Sequence, residues 1–501
     1  MKDTNTKYSS KGNQGKSERT KVTITGATGV MGFRTLNEFI KYPEEFEIRV
    51  LARDSKKNRK KLAPFIEKNG VKVVWGDLMN AEDVEKAIGD SEYVLHIGGM
   101  VSPLADHYPE KTLEVNVGAA ENIVNAIKKR DDRDNVKLVY IGSVAQTAMR
   151  HEPHHWGRTG DPIMAAQFDN YAVSKIKAEL IIAESGLKYW VSLRQSGILH
   201  NGLIYKGSDP ISFHVPLRGV LEWATVEDSA RLMVGVCRRD VPESFWKNFY
   251  NIGSGKNFRL TNYEFEVLLL KSLGCPPPEK CFEAKWFATR NFHGEWYEDS
   301  DKLEEIIPFR EDITAEDYFN RLAGEMPWWM NLAPLAPALL VKTAMWAVSR
   351  YRKLGTLHWL SGHDDEKRIN AFFGGREAQS KIPDWKHFDL SRPSATPVSL
   401  EHGYDESKSI DSMSAEELRQ AAEFRGLKCI SEDVSEVDPD TSLELECTCG
   451  HRFQMRPRTL LLGGHWCPKC ECKPENYGDI AKHNPFVRQV WADSNCADDP
   501  K

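Results

Sequence analysis

Three side chains of this chain can move a proton together: Ser143, Tyr171 and Lys175. Tyr171 and Lys175 stand four residues apart in Tyr171-Ala172-Val173-Ser174-Lys175, which places both on one face of a helix. Ser143 ends the apolar run Tyr140-Ile141-Gly142-Ser143, the expected close of a strand. A free phenol titrates near ~10 and is a poor acid–base partner at neutral pH. An ammonium beside it stabilises the phenolate and lowers that value. A serine hydroxyl can orient a substrate oxygen. The chemistry such a trio serves is hydride transfer, because a carbonyl that accepts hydride becomes an alkoxide in need of a proton.

A hydride carrier needs a binding site, and the N-terminal part of the chain offers one. Val22-Thr23-Ile24-Thr25 reads as a strand and runs into Gly26-Ala27-Thr28-Gly29-Val30-Met31-Gly32. Glycines at G-x-x-G-x-x-G spacing between a strand and a helix let backbone N–H groups approach a pyrophosphate. The second strand ends in Leu51-Ala52-Arg53-Asp54, where folds of this kind meet the adenosine ribose. Arg53 there suits a 2′-phosphate and selects NADP over NAD, with Arg34 and Ser55 assisting; a solvated turn in the basic stretch Lys56 to Lys61 is the plainer reading. Gly76-Asp77-Leu78 follows the third strand and can receive the adenine amino group on the Asp77 carboxylate.

These residues need a scaffold. From 21 to about 325, short apolar runs alternate with longer amphipathic ones. Expected strands are Val22–Thr25, Glu47–Leu51, Val71–Val74, Tyr93–Ile97, Lys137–Ile141 and Trp190–Arg194, with helices over Gly32–Ile40, Ala81–Ile88, Thr112–Lys129 and Tyr171–Ala183. That alternation predicts an α/β fold, a doubly wound parallel sheet of the Rossmann type. From about 199 the alternation is less regular and should cap the carboxyl edge of the sheet.

Residues 21 to about 322 resemble an extended short-chain dehydrogenase/reductase of the NAD(P)-dependent epimerase/dehydratase group. The resemblance rests on the glycine turn from Thr25 to Gly32, Gly76-Asp77-Leu78, Asn116-Val117, Ser143, Tyr171 with Lys175, and Glu179. Trp223 to Asp228 and Tyr250-Asn251-Ile252-Gly253 match later signatures. The resemblance implies bound NAD(P), Ser143, Tyr171 and Lys175 as catalytic residues, and Asn116 supporting the cofactor site. Arg194-Gln195-Ser196-Gly197 lacks the proline usual after that arginine. His96 to Pro103, with Leu51 to Asp54, is similar to the branch acting on flavonols, cinnamoyl derivatives and 3β-hydroxysteroids, which implies a bulky hydrophobic alcohol or ketone. A nucleotide-sugar epimerase or dehydratase is the alternative. It calls for cations near residues 200 to 220, where Lys206, Arg218, His200 and His214 stand beside Phe213. His151, His154 and His155 occupy the loop between serine and tyrosine; substrate contact or a solvated loop accounts for them better than a metal, since no ligand set is complete.

The rest of the chain divides by composition. Residues 1–20 are a polar tail without an apolar leader, so a cytoplasmic protein is expected. Residues 326–373 form an apolar helical extension, broken by Pro334, Pro337 and Lys342. It is expected to pack on the catalytic domain or in a homodimer; peripheral membrane contact through 326–360 is the sharper reading. Residues 374–412 read as a linker, and 413–501 as a helix followed by a small module.

In that module, Cys447-Thr448-Cys449-Gly450-His451 and Cys467-Pro468-Lys469-Cys470 are two ligand-bearing turns at zinc-ribbon spacing. Cysteines alone complete one tetrahedral set, Cys447, Cys449, Cys467 and Cys470; the module also resembles zinc ribbons with a C-x-x-G-H first turn, which implies Cys447 and His451 with Cys467 and Cys470 instead. Either is structural zinc, with no open coordination position. Arg452, Arg456 and Arg458 raise the further reading of an NAD(P)-sensing protein that binds nucleic acid through the ribbon. The formal net charge of −6 and the intact trio weigh against it, and leave a small molecule as the expected partner.

Overall fold

A computed structural model describes residues 19–495 except 103, 206–208, 239, 352, 362–364 and 432–437. The greater part of the expected polar tail, together with Pro103, Lys206 and Arg352, lies outside the described residues. Seven parallel strands form the central sheet: β1 Thr20–Thr25, β2 Phe46–Ala52, β3 Lys72–Trp75, β4 Tyr93–His96, β5 Lys137–Ser143, β6 Tyr189–Gln195 and β7 Asn248–Ile252. Their spatial order is β7-β6-β5-β4-β1-β2-β3. The order reverses at β1, so the crevice between the ends of β1 and β4 is where such a sheet takes a ligand.

Helices α1 Val30–Phe39, α2 Lys56–Asn69, α3 Ala81–Ile88, α4 Pro109–Lys128 and α5 Asn170–Ala183 make the crossovers. The strands match the sequence reading to within one or two residues. Two elements differ. The basic stretch after Arg53 is a helix, because Ser55 caps it by accepting the Asn58 N–H at 3.1 Å and Gly70 ends it at φ 66°. β7 carries the Tyr250 signature as an edge strand, paired in register with β6 from Asn248↔Val191 to Ile252↔Gln195. The core is apolar on both faces of the sheet, with Val22, Ile24, Val50, Leu95, Val139 and Val191 fully enclosed.

Beyond the sheet, a capping layer is organised around Leu199, Phe258 and Tyr318 and around Phe213, Phe282 and Trp286. The apolar extension contains α6 Ala338–Ser349, which opens directly after Pro337. Val341, Met345 and Val348 pack it onto the capping layer. Its other face is outward, with Leu335 76% and Leu339 75% exposed. Among the described residues, no helix is long and apolar enough to cross a membrane.

The stretch expected as a linker is instead a strap. It has little regular structure past Ser380, yet Leu400 and His402 are buried. The Ser394 carbonyl accepts the Trp156 indole N–H at 3.0 Å, and His402 Nε2 meets Asp161 at 2.7 Å. Its polar composition reflects these bonds to the loop before α5. The terminal module adds α7 Ala415–Phe424 and an antiparallel sheet of β8 Leu427–Cys429, β9 Leu443–Cys447 and β10 Arg452–Met455.

The turn between β1 and α1 depends on close backbone approach. A Cβ on Gly32 would sit 2.3 Å from the Gly26 carbonyl oxygen. Gly32→Ala must therefore displace α1 from the turn, at a cost of about 1–3 kcal/mol. Calorimetric unfolding should show a lowered Tm; an unchanged Tm would refute the close contact.

Candidate active site

The glycine turn is shaped to receive an anionic group. Gly26 adopts φ +73°, and a Cβ there would meet the Gly98 Cα at 2.6 Å, so β1 and β4 end in contact. The Gly29 N–H closes the turn on the Gly26 carbonyl at 2.8 Å. α1 then begins with no side chain capping its N-terminus and no acidic residue in its first turn. The first N–H groups of a helix lack intrahelical partners and carry a partial positive charge, so they suit a pyrophosphate. Val30 is exposed at the mouth and Met31 is buried beneath it; the Thr28 carbonyl accepts the Lys61 ammonium at 2.9 Å.

At the end of β2, Arg53 is exposed, while the neighbouring Asp54 is paired with Arg59 at 2.6 Å. The expected assistants are engaged elsewhere: Arg34 with Glu227 at 2.8 Å and Ser55 as the cap of α2. Asp77 Oδ1 accepts the Met79 N–H at 3.0 Å, and Leu78 packs under Gly98. Asn116 is engaged by protein partners beside the site. Its oxygen accepts the Met100 N–H at 2.7 Å, and its nitrogen donates to the Met100 carbonyl at 3.0 Å and to Ser174 Oγ at 2.8 Å. It braces the loop after β4 against α5.

The trio gathers at the same edge of the sheet. Ser143 ends β5 and accepts the Ala145 N–H at 3.2 Å, while its own N–H donates to Gln146 Oε1 at 2.7 Å. This capping turn fixes the serine where the strand stops. Tyr171 and Lys175 lie one turn apart near the start of α5, and Asp169 caps that helix by accepting the Ala172 N–H at 2.8 Å. Burial pushes the Tyr171 phenol up to about 12, with Ser143 opposing the shift. The Lys175 ammonium donates to the Ile141 carbonyl at 2.7 Å. Burial brings it down to about 8, with Glu179 opposing the shift. His96, behind the lysine, is lowered to about 3 by burial and then by Lys175, and stays neutral. The phenol therefore departs from the sequence expectation: desolvation decides its state here.

A cavity of ≈ 50 Å³ lies between the loop leaving Ser143 and the loop entering α5. Ala148, Met149, Met164, Ala166, Phe292 and Trp491 supply most of its apolar wall. Of the three histidines in this loop, His151 is half-buried and lowered to about 4, chiefly by desolvation, and His155 Nε2 meets the Ser394 carbonyl at 2.8 Å. Arg218 faces two carboxylates, Glu152 at 2.8 Å and Asp389 at 2.7 Å. Contacts from Trp491 and the strap were invisible in the sequence, since nothing local links residue 491 to residue 148.

Residues 22–196 match the sequence profile of the NAD dependent epimerase/dehydratase family. UDP-glucose 4-epimerase of Rickettsia bellii is 31% identical over 107 residues, covering 21% of this chain and 31% of that protein. The 3 beta-hydroxysteroid dehydrogenase type 7 of Rattus norvegicus is 26% identical over 223 residues, covering 42% of this chain and 62% of that protein. Each match thus spans less than two thirds of the relative's length. A solved dTDP-glucose 4,6-dehydratase from Bacillus anthracis in complex with NAD has TM-score 0.48 and 16% identity, covering 61% of this chain and 96% of its own. A UDP-glucose 4-epimerase from Bifidobacterium longum in complex with NAD+ and UDP has TM-score 0.47 and 18% identity, covering 63% and 100%.

The family segment stops well before the cysteine cluster. There Cys447, His451, Cys467 and Cys470 bring one donor atom each to within 4.8 Å of one another. Cys447 Sγ lies 3.5 Å from His451 Nδ1 and 3.9 Å from Cys470 Sγ; His451 Nδ1 lies 3.6 Å from Cys467 Sγ and 3.3 Å from Cys470 Sγ. A tetrahedron with zinc–ligand bonds of ~2.0–2.3 Å has edges of roughly 3.5–3.8 Å. The donor set therefore fits zinc. Cys449 is exposed and outside the group. With Co²⁺ in place of zinc, Cys449→Ser should keep the thiolate charge-transfer and d–d absorption of a tetrahedral S₃N site, and His451→Ala should lose it. The reverse pattern would assign Cys449 as the ligand.

Proposed function

We propose that this chain is an NADP-preferring oxidoreductase that reduces a carbonyl or oxidises an alcohol on a bulky hydrophobic, steroid- or flavonol-like substrate. The observation that carries the reading is the placement of Ser143, Tyr171 and Lys175 at the sheet edge that also holds the uncapped glycine turn. Bound there, a nicotinamide cofactor supplies the hydride. The Ser143 hydroxyl holds the substrate oxygen. Tyr171, raised to about 12 by burial, stays protonated at neutral pH and donates its proton to the forming alkoxide. Lys175 stands behind it as the ammonium that steadies the resulting phenolate and contacts the ribose; its own value of about 8 leaves it charged at neutral pH.

The steroid dehydrogenase activity named for the rat relative supports a hydrophobic substrate. The nucleotide-sugar alternative draws on the rickettsial epimerases, but Arg218, one of the cations it needs, is held by Glu152 and Asp389. The nucleic-acid reading is weakened in the same way: Arg452, Arg456 and Arg458 pair with Glu446, Glu184 and Asp440. We assign the ribbon a structural role.

Tyr171→Phe should lower kcat by about 10²–10⁴-fold with the cofactor Kd unchanged, read by stopped-flow turnover across a panel of bulky ketones. Unchanged turnover would remove the acid role. Arg53→Asp should move the NADP-over-NAD preference toward NAD by roughly 10- to 100-fold in kcat/KM, the worth of a charge-assisted phosphate contact. A constant ratio would clear Arg53 of selecting the cofactor.

A further inference from the structure

The C-terminal module meets the Rossmann domain at the helix that carries Tyr171 and Lys175. Glu179 lies one turn beyond Lys175 and is fully buried. Its Oε1 receives Arg194 at 2.7 Å and His465 Nε2 at 3.0 Å, and its Oε2 receives the Ser192 hydroxyl and Arg194 Nε. The other ring nitrogen of His465 meets Glu471 Oε1 at 3.0 Å, and Glu471 Oε2 accepts the Trp466 N–H at 3.1 Å. Arg194 also donates to the Gly463 carbonyl at 2.6 Å. Two carboxylates, an imidazole and a guanidinium thus form one closed chain from the ribbon to α5.

The ribbon end of that chain is built from the metal turn. Glu471 follows Cys470 directly, and its N–H bonds to the Cys467 carbonyl at 2.9 Å. Cys472, the next residue, packs in the apolar cluster that contains Tyr171, Ala172 and Ile176. Trp466 donates its indole N–H to the Ile163 carbonyl at 2.8 Å, on the loop entering α5. The four ligands therefore set where Glu471 and His465 stand. A buried carboxylate keeps its position only while its partners keep theirs.

We propose that the metal-binding turn is a positioning element of the active site: Glu471 and His465, held by Cys467 and Cys470, complete the anchor of Glu179 and so place the helix bearing Tyr171 and Lys175. A ribbon serving only as an attached appendage has no need of a buried charge chain ending one turn from the lysine. The consequence is that loss of metal at Cys447, His451, Cys467 and Cys470 loosens the proton-transfer residues, although none of the ligands touches them.

The test uses the full chain in three forms: zinc-loaded, stripped by a chelator, and His465→Gln with its zinc content verified. Amide exchange is read over residues 170–183, and kcat is read against pH. Stripping and His465→Gln should each speed exchange in 170–183 at least tenfold, and zinc added back to the stripped chain should restore protection. The kinetic arm rests on the reductase reading; the exchange arm does not, so the two can fail separately. Lys175 is faced by His96 from β4, Tyr140 from β5, and Tyr171 and Glu179 from its own helix, and only Glu179 loses its anchor. Because Glu179 raises Lys175, the alkaline limb of kcat should move to lower pH by about half a unit in His465→Gln. A limb that stays in place while only amplitude falls would mark the chain as structural filling. Exchange changes confined to 443–472, with 170–183 protected as in the loaded protein, would overturn the proposal. Glu471→Gln and the stripped wild-type chain give the same readings if His465→Gln yields no folded protein.

Discussion

The buried carboxylate of Glu179 is the constraint on which the rest of this structure turns. A charge taken out of water must be matched by partners in good geometry, or the fold cannot keep it. Glu179 finds its partners on two separate parts of the chain: Ser192 and Arg194 on β6, and His465 on the terminal module. Satisfying that one group requires α5, the sheet and the ribbon to dock together. Arg194, itself enclosed, extends the requirement to the Gly463 carbonyl. A second buried ionic group does the same for the strap, where Asp161 joins Arg150 at 2.5 Å and His402 at 2.7 Å.

Enclosure by these docked parts also sets the acid–base character of the site. Tyr171 and Lys175 are raised and lowered by the same cause, removal from water, which disfavours the charged form of each. The phenol keeps its proton and the lysine sits near the neutral range. Residues 22–196 supply the trio, and Cys472 of the ribbon joins Tyr171 in the apolar cluster of Ala145, Ile163 and Ile176. The apolar cavity beside them follows from the same covering, since Trp491 of the module helps to wall it.

Much of the fold was legible because its signals are local. The β1 strand and the glycine turn lie within a dozen residues, and each side chain there answers to its immediate neighbours. Tyr171 and Lys175 declare a shared helix face by spacing alone. α2 was harder: a run of lysines after Arg53 reads as solvated turn until the Ser55 cap and Gly70 stop are seen to bracket it. The partners of Asn116 were not legible for a related reason. Its sequence position beside the site was right, but which partners its amide takes depends on where Met100 and Ser174 fall after folding. The strap from 381 to 412 looked like a linker because polar, proline-containing chain has no hydrophobic period, and its bonds go to a loop more than two hundred residues away.

By itself the sequence determined the strand–helix alternation, the phosphate-shaped turn, the serine, tyrosine and lysine, and the two metal-bearing turns. Periodicity, backbone sterics and ligand spacing act over a few residues, so they are written directly in the order of the chain. Only the tertiary structure decided which first-turn ligand joins the cluster, with His451 Nδ1 facing the three thiols and Cys449 turned to solvent. It alone decided that desolvation governs Tyr171, and that His465 meets Glu179 across 286 positions of chain. Burial and ionic pairing depend on what packs against what, and that is fixed when the whole chain has closed.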